Sequence, residues 1–174
     1  GTCMSSRCRG SEDPMTRAAT AHNRERQVIE ALESFDAKLT PELRRQKYEK
    51  MAVSPFTFFR GSNHLYWRDL YRDWHFSLFG GSTATRTWLQ GDAHLLNFGV
   101  YGSHDARVRF GLDDFDDAVI GDYQYDLWRL LVSVVLAMRE GEPESRAAIR
   151  EVLAASAERY LETLDEDPDA AADF

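Results

Sequence analysis

The chain has 174 residues, enough for one domain with a sizeable core, and its 43% hydrophobic and 29% charged residues are ordinary for a soluble globular protein. Its 21 basic and 29 acidic residues give a net charge of −8, which repels phosphate backbones and argues against general nucleic-acid binding. No apolar run approaches the roughly 18–20 residues that cross a bilayer, so no membrane partner is expected.

Residues 1–22 are rich in Ser, Arg, Thr and Gly without apolar periodicity, which predicts a disordered leader. Both cysteines, Cys3 and Cys8, lie in this leader, where they are either incidental thiols or a redox or metal-binding pair. Because the rest of the chain has no cysteine, a cytoplasmic location is expected. Residues 23–165 are predicted to form a single lobe, and residues 166–174 an acidic, frayed tail.

The first half of the predicted lobe is helical. Apolar residues recur at three- to four-residue spacing from Asn23 to Phe35, which predicts a helix. Thr40 and Pro41 then have the character of an N-cap and a first-turn proline, so a second helix should run to about Met51. An aromatic-dense stretch follows over residues 56–79 and contains a further predicted helix.

The second half mixes short strands with two longer helices. Residues 85–89 are rich in β-formers, and residues 108–112 alternate apolar and polar or small residues, so each predicts a strand. The apolar residues from Tyr125 to Met138 predict a helix that ends near Gly141, and a last amphipathic helix should follow. We therefore expect a mainly helical α+β fold with a short β-hairpin.

Two polar clusters lie at the ends of the predicted strands, at residues 91–97 and 113–117. Turn-forming glycines lie between them, so the chain can leave the first cluster and return beside it. Phosphoryl transfer needs a carboxylate to orient or deprotonate the attacking hydroxyl, and oxygen ligands to hold Mg²⁺. Asp92, followed five residues later by Asn97, and the Asp114-Phe turn after a strand supply that set of groups.

These clusters match known motifs. Gly-Asp-Ala-His-Leu-Leu-Asn at 91–97 resembles the Gly-Asp-x-His-x-x-Asn loop of aminoglycoside and choline kinase-type phosphotransferases, and residues 114–118 resemble their metal-binding turn. The Tyr-Asp-Leu at 125–127 is similar to the start of the helix that follows in those enzymes. The resemblance implies the C-terminal lobe of a protein-kinase-like fold, with Mg²⁺ as cofactor and ATP as phosphate donor.

Carried over to these positions, the resemblance implies that Asp92 is the catalytic base and that Asn97 and Asp114 bind the metal. Asp126 would brace the loop. Asp116 occupies the place of a glycine in the kinase turn and crowds further negative charge around the proposed metal, so we include it among the candidate ligands.

Two further side chains are candidates for the site. His94 is a candidate catalytic residue or metal ligand, and the alternative is that it supports the loop. Arg60 follows a run of aromatic residues, and its planar guanidinium is suited to a phosphate of the cofactor or to an acidic substrate. The alternative for Arg60 is an ion pair with one of the aspartates.

Over roughly residues 45–140, the motifs from the Ser-Pro-Phe at 54–56 to the Asp-Leu-x-Arg-Leu at 126–130 also resemble an uncharacterised bacterial family, domain-of-unknown-function family 2252. Two features depart from ordinary kinases. Gln90 stands where they usually carry His, and no glycine-rich loop is followed by a Val-x-Lys strand. In longer members of the resembled family such sequence lies downstream, so we expect a fragment or shortened relative.

The leading hypothesis is a Mg²⁺-dependent phosphotransferase core that acts on a hydroxyl-bearing small molecule or protein. One alternative is a metal-dependent phosphoester hydrolase that uses Asp92, His94 and the aspartate cluster. The other is a non-catalytic, pseudokinase-like interaction module, which the missing glycine-rich loop and lysine would suit.

Overall fold

The structure is a computed structural model that describes residues 14–72, 83–102, 108–141 and 145–165. The predicted acidic tail and both cysteines lie outside these residues. The chain divides into two compact units, Gly1–Arg44 and Arg45–Phe174. The predicted lobe over residues 23–165 therefore includes parts of both units, and the two polar clusters belong to the second.

The fold is α+β and mainly helical, as predicted. The helices are α1 (Pro14–Phe35), α2 (Pro41–Met51), α3 (Pro55–Gly61), α4 (Asn63–Arg72), α5 (Gln124–Glu140) and α6 (Arg146–Asp165). The strands are β1 (Arg86–Leu89), β2 (Phe98–Gly102), β3 (Val108–Leu112) and β4 (Val119–Asp122). None of the helices that the structure describes combines the length and the apolarity needed to cross a bilayer.

The helix predicted from Asn23 begins at Pro14 instead, inside the segment expected to be a leader. Its first turns carry Met15, Arg17 and three alanines, which extend a helix by intrinsic propensity without an apolar face, so periodicity could not reveal them. The second helix was predicted correctly. The Leu43 backbone N–H donates to Thr40 Oγ1 at 3.3 Å, which confirms the N-cap, and α2 spans Pro41–Met51.

Two small antiparallel sheets bring the polar clusters together. Strands β2 and β3 form the predicted hairpin, with Phe98 opposite Leu112. The N–H of Asp113 then donates to the carbonyl of Asn97 at 2.8 Å, so the end of the first cluster touches the start of the second. Strand β4 pairs with β1, with Val119 opposite Leu89. The clusters therefore lie side by side, as predicted.

The hairpin and two helices of the second unit enclose an apolar cavity of about 360 Å³. Phe98 of β2 and Phe110 of β3 line it on one side, and their rings stack with centroids 5.9 Å apart. The rest of the lining comes from the loop before β2, from α5 and from α6: Leu95, Leu127, Leu130, Leu131, Val134, Ser156 and Tyr160. The hairpin thus faces the apolar stripe of α5, as the sequence predicted.

Helix α3 is fixed at its N-terminus in two ways. Ser54 and Thr57 form a reciprocal capping box, in which Thr57 N donates to Ser54 Oγ at 3.1 Å and Ser54 N donates to Thr57 Oγ1 at 2.9 Å. The Phe56 N–H also donates to Glu140 Oε1 at 3.0 Å, which ties α3 to the end of α5.

The capping box gives a first prediction. Ser54→Ala should lower the free energy of unfolding by about 1 kcal/mol, because Thr57 N loses its acceptor. Urea denaturation followed by circular dichroism measures the change. Thr163→Ala is the matched control, because its exposed hydroxyl bonds only to a carbonyl of its own helix. Equal stabilities for the two variants would show that the box does not anchor α3.

Candidate active site

The loop that carries Asp92 is braced by α5 at its first two residues. Asp126, in the first turn of that helix, accepts from Gln90 N at 2.6 Å through Oδ2 and from Gly91 N at 3.1 Å through Oδ1. Burial raises the pKa of Asp126, and the two N–H groups act in the opposite direction because they favour the charged carboxylate. The predicted bracing role of this residue is confirmed.

Gly91 holds a backbone conformation that other residues rarely adopt, with φ at 87°. A β-carbon there would collide with the backbone carbonyl of Asp117. The Gly91 carbonyl accepts from Trp67 Nε1 at 2.9 Å and from Asn63 Nδ2 at 3.1 Å, and Asn63 Nδ2 also donates to Asp117 Oδ2 at 2.8 Å. Helix α4 thus holds the start of the loop against the second cluster.

Gln90 links the two clusters directly. Its side chain is buried, Oε1 accepts from Asp92 N at 2.8 Å, and Nε2 donates to the carbonyls of Asp113 at 3.2 Å and Asp114 at 2.6 Å. A carboxamide has two N–H donors and an acceptor on one rigid group, so it can serve both cluster backbones at once. Gln90, which stands where ordinary kinases usually carry His, is therefore the residue that joins the two clusters.

Asp92 is held by an ion pair with Arg129 of α5. The Asp92 carboxylate accepts at Oδ1 from Arg129 Nε at 2.7 Å and also from Nη2. The other carboxylate oxygen, Oδ2, lies 3.6 Å from His94 Nε2. Burial raises the pKa of Asp92, while Arg129 acts in the opposite direction by stabilising the charged carboxylate. Arg129 therefore occupies Oδ1 of Asp92, whereas Oδ2 is available to accept a proton or a hydrogen bond.

Arg129 is fully buried, with no exposed surface. Its guanidinium lies 4.3 Å from the ring centre of Phe59 and 5.1 Å from that of Tyr66, and Nη2 donates to the Phe59 carbonyl at 3.3 Å. Nη1 is buried and has no hydrogen-bond partner within the described part of the chain. No role was predicted for Arg129, although a charged residue inside a strongly apolar helix, one turn after Asp126, was a signal that it needs a buried partner.

His94 supports the loop backbone. Its buried ring accepts from Leu96 N at Nδ1, at 3.2 Å, and so caps the single 3₁₀ turn over Leu95–Asn97. Burial lowers its pKa to about 4, and the nearby Arg60 and Arg129 charges act in the same direction, so the ring is neutral at pH 7. These contacts favour the supporting role over metal ligation, because Nδ1 already has a partner.

The three candidate metal ligands differ in how they are held. Asn97 is buried and donates from Nδ2 to the Asp92 carbonyl at 3.1 Å, which leaves its side-chain oxygen for a ligand. Asp114 has a positive φ of 56°, and its backbone is fixed by Asp113 Oδ1 at its N–H and by Gln90 at its carbonyl. The side chains of Asp114 and Asp116 are exposed.

Magnesium fits this donor set better than a softer metal does. Within the described residues, no group of three or more His, Cys, Asp or Glu side chains is placed to hold a metal ion. Mg²⁺ needs only one or two carboxylates because it keeps several waters, and it prefers oxygen ligands. One amide oxygen and the carboxylates of the Asp114 turn are ligands of that type, whereas a structural zinc site would need four ligands, mainly Cys and His.

Arg60 reaches the same loop from the last turn of α3. Its Nε lies 3.2 Å from His94 Nε2, and its side chain is exposed. Of the sequence-predicted site residues, the structure therefore joins Asp92, His94, Asn97 and Arg60 through direct contacts. Asp114 is connected to them by the hydrogen bonds of Gln90.

The fold and site define an α+β protein in which a helix-braced polar loop faces an aspartate-rich turn. This chain belongs to domain-of-unknown-function family 2252, described as uncharacterised proteins conserved in bacteria, whose model matches residues 39–173. Searches of the curated proteins and of the solved structures gave no match.

Gly91 gives a second prediction. Gly91→Ala should lower the free energy of unfolding by at least about 1–3 kcal/mol, because the left-handed backbone and the collision with Asp117 add strain. Gly102→Ala is the control, since a β-carbon there meets no atom within 4 Å. Denaturant titrations of both variants provide the comparison, and similar losses would contradict the close approach at Gly91.

The ion pair gives a third prediction. Arg129→Met should cost about 3–5 kcal/mol at neutral pH, because it leaves the Asp92 carboxylate partly buried without its partner. The double variant with Asp92→Asn should be more stable than Arg129→Met alone. A double-mutant cycle from urea denaturation measures this coupling, and additive losses would show that the two side chains do not interact.

The same variant should also change the pH dependence of stability. Without Arg129, the largest influence that offsets burial is lost, and only the weaker effect of the Arg60 charge still lowers the Asp92 pKa. The Asp92 pKa therefore rises further, and the folded state holds a proton that the unfolded state releases. The loss of stability in Arg129→Met should therefore grow as the pH rises from the ordinary aspartate pKa towards the raised one. A loss that is the same at pH 4 and pH 7 would contradict this assignment.

Proposed function

We propose that the site transfers the γ-phosphate of ATP, in a Mg²⁺-dependent reaction, to a hydroxyl group of a small molecule or protein. The observation that carries the proposal is the single hydrogen-bonded network that joins Asp92, Asn97 and Asp114. Asn97 Nδ2 bonds to the Asp92 carbonyl, and Gln90 bonds to both the N–H of Asp92 and the carbonyl of Asp114. Phosphoryl transfer depends mainly on such positioning and on charge.

Asp92 is the group that orients the attacking hydroxyl. Arg129 occupies Oδ1, fixes the carboxylate and favours its ionised form, so Oδ2 is the oxygen that accepts the hydroxyl proton. In the transfer, the acceptor oxygen bonds to the γ-phosphorus while the bond from that phosphorus to the β,γ-bridging oxygen breaks. ADP leaves with the bonding electrons, and the hydroxyl proton passes to Asp92 and then to water.

The side-chain oxygen of Asn97 and the carboxylates of Asp114 and Asp116 are the groups that would hold Mg²⁺. The bound ion would neutralise negative charge on the transferring phosphates. Because backbone contacts fix Asp114 in its positive-φ turn, its carboxylate would need little reorganisation to coordinate the ion. Asp113 uses one oxygen to hold the Asp114 N–H, which suits it to support rather than ligation.

We also propose that the second unit corresponds to the larger lobe of a kinase-like fold. The chain order supports this interpretation: a Gly-Asp loop, a hairpin, an Asp-Phe turn and an apolar helix that braces the loop. The contacts favour phosphotransfer over a hydrolase built on several metal-bound carboxylates and His94. Asp92 is paired with Arg129, and His94 uses Nδ1 to cap the loop.

Asp114 provides the test. Purified protein should bind ATP with Mg²⁺ or Mn²⁺, and Asp114→Ala should weaken that binding at least about tenfold, because it removes a charged oxygen ligand of the ion. Isothermal titration calorimetry measures both affinities. Glu151→Gln, a change on the exposed face of α6, is the control and should bind as the unaltered protein does.

Asp92→Asn separates binding from chemistry. If it folds, it should retain metal-nucleotide binding but lose transfer, because the amide cannot take the hydroxyl proton. No nucleotide-dependent thermal shift in the unaltered protein would instead support a non-catalytic interaction module. Phosphoester turnover without nucleotide would support the hydrolase.

A further inference from the structure

Two hydrogen-bond donors point at the ring of His94, which can accept a hydrogen bond from only one of them. Leu96 N donates to Nδ1 at 3.2 Å, and Arg60 Nε points at Nε2, also at 3.2 Å. A neutral imidazole has one N–H and one acceptor nitrogen, so it cannot accept from both. The Leu96 N–H is fixed by the backbone of the 3₁₀ turn, which makes Nδ1 the acceptor and places the proton on Nε2.

In that tautomer, the Nε2–H of His94 and the Nε–H of Arg60 are neighbouring donors, and Asp92 Oδ2, at 3.6 Å from His94 Nε2, is too distant to accept a hydrogen bond from the ring. His94 is buried and cannot turn away, whereas Arg60 is exposed and can adjust its guanidinium. The buried imidazole of His94 and the charged guanidinium of Arg60 thus direct two N–H groups towards the same point. Such a pair of donors can bind an oxyanion.

The charge of Arg60 lowers the pKa of Asp92, but within the described residues Arg60 forms no ion pair with a carboxylate. The neighbouring carboxylate, Asp92, is already paired at Oδ1 with Arg129, and no other carboxylate within the described residues pairs with Arg60. Asp92 therefore repels an arriving anion much less than a free carboxylate would. The charge of Asp114 raises the His94 pKa and so also reaches the subsite, and Gln90 joins the turn of Asp114 to the loop through backbone groups.

We propose that Arg60 and His94 Nε2–H form an oxyanion subsite beside Asp92 that takes a phosphate- or carboxylate-type group of a ligand. This inference deepens the proposed function and rests on it for the source of the anion. That source is either the γ-phosphate of ATP as it is transferred or an acidic group on the hydroxyl acceptor. In the second case, the acceptor is an anionic hydroxyl compound.

The test uses inorganic phosphate without nucleotide, titrated into the full chain and followed by ³¹P nuclear magnetic resonance. The net charge of −8 disfavours non-specific phosphate binding, so saturable binding reports a defined site. Arg60→Ala should weaken it at least about tenfold, since a charged donor is lost, and Arg60→Lys should recover part of it. Arg139→Ala, an exposed arginine in the last turn of α5, is the matched control.

Nucleotide titrations then distinguish the two sources. If the subsite holds the γ-phosphate, Arg60→Ala should weaken Mg·ATP binding and leave Mg·ADP binding unchanged. If it holds an acidic acceptor group, both nucleotides should bind as before, and phosphate should still bind in the presence of Mg·ADP. Either pattern, together with Arg60-dependent phosphate binding, supports the subsite.

Different experimental results would reject the oxyanion subsite and the proposed phosphotransfer. Arg60-dependent phosphate binding in a protein that binds no nucleotide would reject the phosphotransferase and keep the oxyanion subsite. The subsite is rejected if the unaltered protein does not bind phosphate, if Arg60→Ala binds it equally well, or if Arg139→Ala weakens it as much as Arg60→Ala does.

Discussion

One face of α5 holds the loop on which the site is built. Asp126, Arg129 and Ser133 recur at helical spacing on that face. They bind, in the same order, the N–H groups of Gln90 and Gly91, the carboxylate of Asp92, and the N–H of Leu95. The buried Asp92–Arg129 pair is the costliest of these contacts to break, because loss of either partner leaves a charge without compensation. The stacking of Phe59 and Tyr66 on the guanidinium extends this constraint to α3 and α4.

The charges around the loop are arranged in two regions with different chemistry. On one side, buried Arg129 pairs with Asp92, and exposed Arg60 lies beside His94 without an ion-pair partner among the described residues. On the other, exposed Asp114 and Asp116 concentrate negative charge, which a divalent cation would relieve. A phosphate group placed between these regions would meet a cation on each side. That polarity, rather than any single carboxylate, is the main support for the phosphotransfer that we propose.

Local patterns in the sequence were enough to predict strands β1 and β3, the hairpin and the two clusters. The hairpin followed from alternating residues at 108–112 and the turn-forming glycines before them, and the helix from Tyr125 followed from its apolar spacing. Contacts between distant residues were not predictable in the same way. The roles of Gln90 and Arg129 depend on partners 23–37 residues away along the chain, which no local period encodes. Strand β4 is short and pairs only across such a distance.

The most direct test of the central claim is the position of a bound metal ion. A crystal structure of the protein with Mn²⁺ and a non-hydrolysable ATP analogue, with the ion located by anomalous scattering, would provide it. We expect the ion to lie at a coordinating distance of about 2.0–2.6 Å from the side-chain oxygen of Asn97 and from a carboxylate oxygen of Asp114. An ion bound elsewhere, or a bound nucleotide whose phosphates lie away from Asp92, would contradict it.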